Sequence, residues 1–343
     1  MRPFLRTVFA TAVLSSTPLL FSQQPVVLHG QVTTENAGHG LNSAIESAEK
    51  LSGPTWIGYS VPVVAKFSSG WSSPNIAYLE GNNNSTFDES DTTRKTFDHA
   101  VILVRVADGA VTKVHVEDPD RQLDAGGARF IWLNTVDQDD SVRFLTGVAQ
   151  QDSTRHQRDS AVFAISVHQT NSATTALINL AAPANDLALR EKAAFWLANQ
   201  RGPEGLAAIK KFAHDDSDPK FREKLTFDLT LSKDPSALDE IIRMAHEDSS
   251  PQVRKQAQFW MANKGGKRVT EDLKTIATND PNEQIRKSAV FALSRLPGDD
   301  AATQLIAVAD STKDPAVRKQ AIFWLGQSND PRALDYLTRL LKQ

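Results

Sequence analysis

The spacing of hydrophobic and polar positions changes near residue 140 of this chain. Upstream, the short apolar runs Val101–Val106 and Val111–Val116 are separated by polar turn residues, which is typical of strands. Downstream, apolar residues recur three and four positions apart, which is typical of helices that bury one face. The pattern predicts a small β-rich N-terminal domain at residues 24–139 and a helical region at residues 140–343.

The helical region repeats every 32 residues, with six matching segments that each carry an arginine and, five positions later, a phenylalanine. The arginines are Arg158, Arg190, Arg222, Arg254, Arg286 and Arg318, and the phenylalanines are Phe163, Phe195, Phe227, Phe259, Phe291 and Phe323. A second set of apolar columns, such as Ile241, Met244 and Ala245, gives each unit a second helix. The second-helix columns continue upstream at Leu145 and Val148 without an arginine. The region therefore predicts an α-solenoid of a half repeat plus six repeats.

Three further features describe the packing of the units. The phenylalanine lies far from the apolar stripe of the first helix, so we expect it to pack on a neighbouring unit. Pairs of a capping residue and a proline predict the helix starts at Asp218–Pro219, Ser250–Pro251, Asp280–Pro281 and Asp314–Pro315. The arginine row could be taken for an anion groove, but the acidic residues of the preceding turns favour an Asp/Arg ladder between units.

The segment DPAVRKQAIFWLGQSNDPRALDYL resembles HEAT repeats, in particular the short bacterial variety similar to the HEAT-like repeats of phycobilin lyases. The resemblance covers about residues 141–343. It implies a right-handed, armadillo-like α-solenoid with one set of helices on its convex side and the other on its concave side. The whole chain also resembles exported HEAT-repeat proteins through Trp56–Pro62, a likeness that implies no activity.

Residues 1–23 predict an export signal. Arg2 and Arg6 precede the apolar run Val8–Leu14, which ends at Thr17–Pro18, well short of the roughly 20 residues of a membrane-spanning helix. We therefore expect a mature chain without an integral membrane span, in the periplasm or outside the cell. The chain has no cysteine, which excludes disulfides and thiolate metal sites, and its net charge of -3 argues against nucleic acid as a partner.

The N-terminal domain predicts a hairpin at Asp108–Gly109. Further expected elements are strands at Val26–Thr33, Trp56–Val64 and Arg129–Leu133, a helix at Ser43–Leu51 and a surface loop at Gly81–Thr96.

Chemical motifs are sparse. His214 and His246 share a column beside acidic residues, but a histidine at a helix end is favoured by the helix dipole alone, so we predict no metal and no cofactor. His39, Asp118–Asp120 and Asp137–Asp140 are the catalytic suggestions, and such clusters are ordinary turn and cap chemistry. We predict a protein that is not an enzyme. The alternatives are a hydrolase or lyase with its site in the N-terminal domain and a structural role in envelope assembly.

The polar face of the second helices is the predicted partner-binding surface, and we expect it to line the concave side. Its charged columns hold Lys211, Arg243 and Arg339 together with Asp239, Glu271 and Asp335. Mixed signs suit a protein or peptide and oppose a phosphate backbone. The sequence thus predicts a protein–protein interaction scaffold of the bacterial cell envelope.

Overall fold

The computed structural model describes residues 24–38, 40–68, 76–81, 95–151, 154–297 and 300–342. The predicted signal at residues 1–23, the catalytic suggestion His39 and most of the predicted loop Gly81–Thr96 lie outside the described residues. Within them, the chain forms a β-rich N-terminal region followed by stacked helices, as the change in periodicity predicts.

The strands of the N-terminal region are β1 (Val27–Leu28), β2 (Gln31–Asn36), β3 (Thr55–Phe67), β4 (Ile76–Tyr78), β5 (Phe97–Ala107), β6 (Ala110–Glu117), β7 (Gln122–Asp124) and β8 (Arg129–Asn134), with helix α1 (Leu41–Glu49) between β2 and β3. The later helices are α2 (Gln138–Gln150), α3 (Arg155–Val167), α4 (Asn171–Ala181), α5 (Leu187–Gln200), α6 (Gly202–Asp215), α7 (Pro219–Leu231), α8 (Ser236–Glu247), α9 (Pro251–Gly265), α10 (Thr270–Asn279), α11 (Glu283–Ser294), α12 (Asp300–Ser311), α13 (Pro315–Gly326) and α14 (Pro331–Leu340). A short 3-10 helix, Gly266–Val269, precedes α10.

Two sheets form the N-terminal region. The larger has the order β2-β8-β3-β5-β6, in which β3 pairs in parallel with β8 and antiparallel with β5, and the smaller has the parallel order β1-β7-β4. One face of the larger sheet packs on the helices through residues such as Ile57 and Val104. The other face packs on the smaller sheet through residues such as Trp56 and Phe130. The long strands are therefore buried on both faces, which accounts for their continuous apolar runs.

The predicted hairpin is confirmed, whereas one predicted strand is wrong. Asp108 and Gly109 join β5 to β6 with φ values of 55° and 75°, as the favoured two-residue hairpin turn requires. The strand expected at Val26–Thr33 is instead β1 and β2, which belong to different sheets. His29, with φ of 46°, and Gly30 break it between them. A Cβ at Gly30 would lie 2.9 Å from the Cβ of Ala125, so only glycine fits this crossing of two segments.

The helices stack in two rows. The outer row, defined as α2, α4, α6, α8, α10, α12 and α14, alternates along the chain with the inner row, defined as α3, α5, α7, α9, α11 and α13. Neighbouring inner helices pack closely along their length, whereas neighbouring outer helices diverge. Grooves open between α4 and α6 and between α12 and α14. A double layer bends toward its more closely spaced side, so the inner row lines the concave surface.

This arrangement corrects one sequence expectation. The second helices, expected on the concave side, form the outer row because their larger spacing places them on the convex surface. Most outer helices pack most closely on the inner helix that follows them, as in α8 and α9, but α6 packs more closely on α5 than on α7. The helix at Leu145 and Val148 is α2, the first of the thirteen described helices of the array, and the division into a half repeat plus six repeats stays a prediction.

The spacing of the units is constant along the chain, and the Asp/Arg ladder predicted between them is confirmed. Each arginine donates to a backbone carbonyl at the end of the outer helix before it and, except for Arg318, to an aspartate in the turn after the next outer helix. The ion pairs are Arg158–Asp186, Arg190–Asp216, Arg222–Asp248, Arg254–Asp280 and Arg286–Asp314. Hydrogen bonds from Arg286 lower the pKa of the Asp314 carboxyl. The row therefore serves unit-to-unit packing and not a ligand.

The ladder also determines the residue at which one helix begins. Asp218, Ser250 and Asp314 directly precede α7, α9 and α13, as expected. The start expected at Asp280–Pro281 is wrong by two residues, because α11 begins at Glu283 and Asn282 caps it. The Asp280 carboxylate accepts hydrogen bonds from Arg254 and from the Asn282 N–H group instead.

Hydrogen bonds and a shared hydrophobic core connect the larger sheet to the first helices of the solenoid, and this contact is called the joint. The Gln169 N–H group donates to the Pro62 carbonyl at 3.1 Å, and the Gln157 side chain donates to the Val111 carbonyl at 2.5 Å. One hydrophobic core runs without a break from β3 and β5 into α2 and α3. The division at residues 139 and 140 stays a prediction, and the two regions share one core.

One buried charge breaks the pattern of the inner row. The column that holds Trp196, Trp260 and Trp324 holds Asp228 in α7, where the carboxyl is fully buried. One carboxylate oxygen contacts Lys224, and the other has no hydrogen-bond partner among the described residues. Desolvation raises the pKa of Asp228 to about 6, against the opposing effect of Lys224.

We expect Arg222→Met to lower the free energy of unfolding by about 3–5 kcal/mol, because the buried Asp248 carboxylate loses its partner. Urea unfolding followed by circular dichroism measures the loss. Arg318→Met is the matched control, since the partners of Arg318 among the described residues are the carbonyls of Ala309 and Thr312. Its cost should be about 1–2 kcal/mol. Equal losses in the two variants would contradict the role assigned to the carboxylates.

We expect Asp228→Asn to stabilise the protein at pH 7 by about 1–3 kcal/mol, because the folded state no longer buries an ionised carboxylate. The pKa is raised in the folded state to about 6, so stability should fall as the pH rises from about 4 to 6 in the parent protein. Urea midpoints across this range should be flatter for the variant. The exposed Asp335→Asn is the control and should change neither value.

Candidate functional site

An aromatic stripe runs along the concave surface. It consists of one phenylalanine from each inner helix, and it starts next to Phe67 of β3, whose ring centroid lies 6.4 Å from that of Phe163. These phenylalanines are partly exposed, and the last, Phe323, is 52% exposed. Large apolar side chains are thus partly open to solvent on the inner face of every unit.

The stripe is organised in pairs of units, as the 64-residue spacing of its tryptophans suggests. Phe163, Phe227 and Phe291 stack on the tryptophan of the next inner helix, Trp196, Trp260 and Trp324, at 4.7, 5.0 and 5.0 Å between ring centroids. For these three the predicted packing on a neighbouring unit is confirmed. Phe195, Phe259 and Phe323 instead contact the tryptophan of their own helix edge-on. Each tryptophan therefore holds two phenylalanines.

The tryptophans themselves are packing residues. Their indole N–H groups are buried and have no hydrogen-bond partner among the described residues. A buried donor without a partner costs about 1–3 kcal/mol, so the ring contacts must outweigh this cost. The phenylalanines, which remain partly exposed, are the part of the stripe that is available to a ligand.

The six residues predicted to bind a partner lie on the outer row. Lys211 contacts Asp215, Arg243 contacts Glu240, Asp239 contacts Arg268, and Glu271 contacts Lys274, each at 2.6–3.0 Å. Arg339 lies 5.9 Å from the ring centre of Tyr336, and Asp335 shares a groove with it. The structure therefore spreads these residues along the convex surface and pairs four of them locally; their binding role stays a prediction.

Two of the outer grooves contain predicted residues. The groove between α4 and α6 has a volume of about 610 Å³, with Ile178, Ala208 and Phe212 in its lining and Lys211 among its polar residues. The groove between α12 and α14 is also about 610 Å³ and includes Asp335 and Arg339. Both grooves are open on the convex side.

The residues considered for chemistry have local partners. Asp137 caps α2, Asp139 accepts hydrogen bonds from Thr170 and Ser172, and Asp140 contacts Arg143. Glu117, next to Asp118, contacts the buried Arg121 at 2.8 Å. His214 contacts Asp215, and His246 contacts Asp272. Over the described ranges, no group of three or more histidines and carboxylates is placed to hold a metal ion.

A buried serine–histidine pair lies at the joint, and no sequence pattern marks it because its members are distant in the chain. The Ser141 Oγ lies 2.9 Å from His168 Nε2 and 2.7 Å from the Tyr59 hydroxyl, while His168 Nδ1 lies 2.7 Å from the Ala164 carbonyl. The carbonyl can only accept, so Nδ1 donates and Nε2 accepts from Ser141. Burial lowers the pKa of His168 to about 4, which keeps it neutral. All three side chains are fully buried, so the pair joins β3, α2 and α3 and is closed to a substrate.

The model of the family described as HEAT repeats matches residues 270–343. No curated protein matches the sequence.

Three solved structures are similar to the chain. Human deoxyhypusine hydroxylase in complex with glycerol is 16% identical over 60% of this chain and 80% of that chain, with a TM-score of 0.33. The Escherichia coli protein YibA is 19% identical over 60% and 79%, with a TM-score of 0.37. The complex of CpcE and CpcF of phycocyanin lyase from Nostoc sp. PCC7120 is 16% identical over 54% and 76%, with a TM-score of 0.30.

Residues 270–343 comprise α10 to α14, and the same alternation of outer and inner helices extends upstream to α2. The Asp/Arg ladder joins successive units from α3 to α13 in one way. The helical region of this chain is therefore an α-solenoid, and its residues 270–343 match HEAT repeats.

Proposed function

We propose that this chain is a non-enzymatic protein-binding scaffold of the bacterial cell envelope, and that the aromatic stripe is its principal binding surface. HEAT repeats suggest protein partners. The observation that carries the proposal is the phenylalanine of every inner helix, which remains partly exposed in all six inner helices. A row of partly exposed aromatic side chains on a concave surface suits a polypeptide partner, since aromatic anchors dominate protein interfaces.

The envelope location rests on residues 1–23, whose basic start, short apolar run and polar exit are typical of an export signal. Over the residues that the structure describes, no helix has both the length and the apolar character needed to cross a membrane.

The outer-row residues are the rival binding surface. Their charges are mixed, as suits a protein partner, but four of the six contact an opposite charge on their own or an adjacent helix. A partner would have to compete with these contacts. The inner row offers apolar area that no such contact covers.

The alternative of a hydrolase or lyase needs an accessible cleft in the N-terminal region. A groove of about 460 Å³ between α1, α2 and the β5–β6 turn contains Glu46, Glu49 and Arg143. It is the place where a substrate could meet carboxylates of this region. Ser141 and His168 are not among the residues that line this groove.

A crosslinking pull-down from an envelope extract tests the scaffold, with the mature protein beside two variants. The inner variant carries Phe259→Ser and Phe323→Ser, and the outer variant carries Lys211→Glu, Arg243→Glu and Arg339→Glu. We expect the inner variant to lose the captured partner and the outer variant to keep it, because aromatic anchors supply most of the affinity. Circular dichroism checks that both variants keep their helical content.

The remaining outcomes separate the rival functions. Loss of the partner in the outer variant alone would move the binding site to the convex surface. Retention by both variants would contradict a solenoid binding site, and turnover of a hydrolase or lyase substrate panel, abolished by Glu46→Gln with Glu49→Gln, would replace the scaffold by an enzyme.

A further inference from the structure

The charge beside the aromatic stripe changes sign halfway along the solenoid. One helical turn before each phenylalanine, on the same helix face, the chain has a charged residue. In the first three inner helices this residue is acidic, and in the last three it is basic: Asp159, Glu191 and Glu223, then Lys255, Lys287 and Lys319. Both halves of the stripe therefore have phenylalanines at corresponding positions, but the charged residues beside them are acidic in the first half and basic in the second.

The first half is electrically balanced. Helices α3, α5 and α7 contain seven arginines and lysines and four acidic residues, and each of their three ladder arginines pairs with an aspartate outside the helix. Asp159 contacts Lys192 of the next inner helix at 3.0 Å. Lys224 lies 4.9 Å from the ring centre of Phe227 and 5.8 Å from that of Phe195. A cation that belongs to the protein thus already occupies the gap between these two rings.

The second half is basic and more open. Helices α9, α11 and α13 contain seven arginines and lysines and one acidic residue, Glu283, while Asp280 and Asp314 neutralise two of the arginines, so four positive charges remain. No carboxylate of the described residues lies within ion-pair distance of Lys255 or Lys319, which are exposed. At the positions that correspond to Lys224 and Asp228, 64 residues later, the chain has Ser288 and Ala292. Because these residues are small and uncharged, the gap between Phe259 and Phe291 lacks a counterpart of Lys224.

We infer that the inner face of α9, α11 and α13 binds an acidic polypeptide segment that carries apolar side chains. The apolar side chains would pack on Phe259, Phe291 and Phe323, and the carboxylates would pair with Lys255 and Lys319. The inference rests on the proposed function and names the chemistry of its partner. Neighbouring packed helices are about 8–10 Å apart, so the three rings span about 20 Å, the length of about six extended residues.

Charge complementarity argues against the other occupants. A basic segment would meet Lys255 and Lys319, which no carboxylate of the described residues compensates, and juxtaposed like charges are strongly unfavourable when desolvated. A purely acidic segment would leave the aromatic rings exposed to water and lose their contribution. A segment with both apolar and acidic side chains can cover the rings and pair with the lysines at the same time.

The test measures fluorescence anisotropy of three labelled synthetic peptides with the full chain. The peptides are repeats of Leu-Asp-Glu, of Leu-Lys-Lys and of Ser-Asp-Glu. We expect the Leu-Asp-Glu peptide to bind at least about tenfold more tightly than the other two, and its affinity to fall as salt is added. Equal binding of the Leu-Lys-Lys peptide, or no binding of the Leu-Asp-Glu peptide, would overturn the inference.

Matched variants locate the site. Lys255→Glu with Lys319→Glu should weaken binding of the Leu-Asp-Glu peptide by about tenfold or more, whereas Lys192→Glu with Lys220→Glu, in the balanced half, should leave it unchanged. Phe323→Ser should weaken it without changing helical content. Equal effects of the two lysine pairs would contradict the assignment to the second half. If the inner variant loses its captured partner while the Leu-Asp-Glu peptide does not bind, the scaffold stands and only the partner chemistry is wrong.

Discussion

The hydrogen-bonded arginine between successive hairpins is the interaction on which the solenoid depends. A single guanidinium group joins the carbonyl end of one outer helix to the carboxylate that precedes the next inner helix. It therefore fixes three consecutive helices at once. The contact recurs with the 32-residue spacing of the arginines, although the separation of arginine and aspartate is 26 residues in three units and 28 in two. Burying ion pairs is costly, so the repeated arginine–aspartate pairs contribute more to the register of the units than to the stability of the fold.

The repeat and the hairpin could be predicted from sequence because they depend on local periodicity and on residues with special backbone preferences. The six arginine columns and the Asp108–Gly109 turn carry such signals. The break at His29 and Gly30 could not be predicted, because it depends on the approach of Ala125 from a distant part of the chain. The short strands β4 and β7 have no periodicity of their own and form by pairing with each other and β1.

The choice between the two helix rows shows a different limit. Periodicity identifies which face of each helix is buried, but curvature depends on how closely the helices of each row can approach. The inner row is closely spaced although it contains the large rings, because they lie along the helix boundaries and stack between units. The candidate surface is therefore the row of phenylalanines and not the charged columns of the outer row, although helical periodicity predicts only a packing role for the phenylalanines. They do pack, and they are also partly exposed.

The shared core at the joint gives the solenoid a fixed end. Repeat arrays with only nearest-neighbour contacts can open at either terminus, because each terminal unit has one neighbour. Here α2 and α3 pack on a sheet whose strands are buried on both faces, and Tyr59, Ser141 and His168 join the two regions by hydrogen bonds. The first hairpin therefore has a neighbour on both sides, and opening it requires breaking the contacts with the sheet as well as those with the next hairpin. Among the described residues, α9, α11 and α13 contact only other units of the array, so a partner bound there would meet a part of the solenoid whose curvature can adjust more easily than it can beside the sheet.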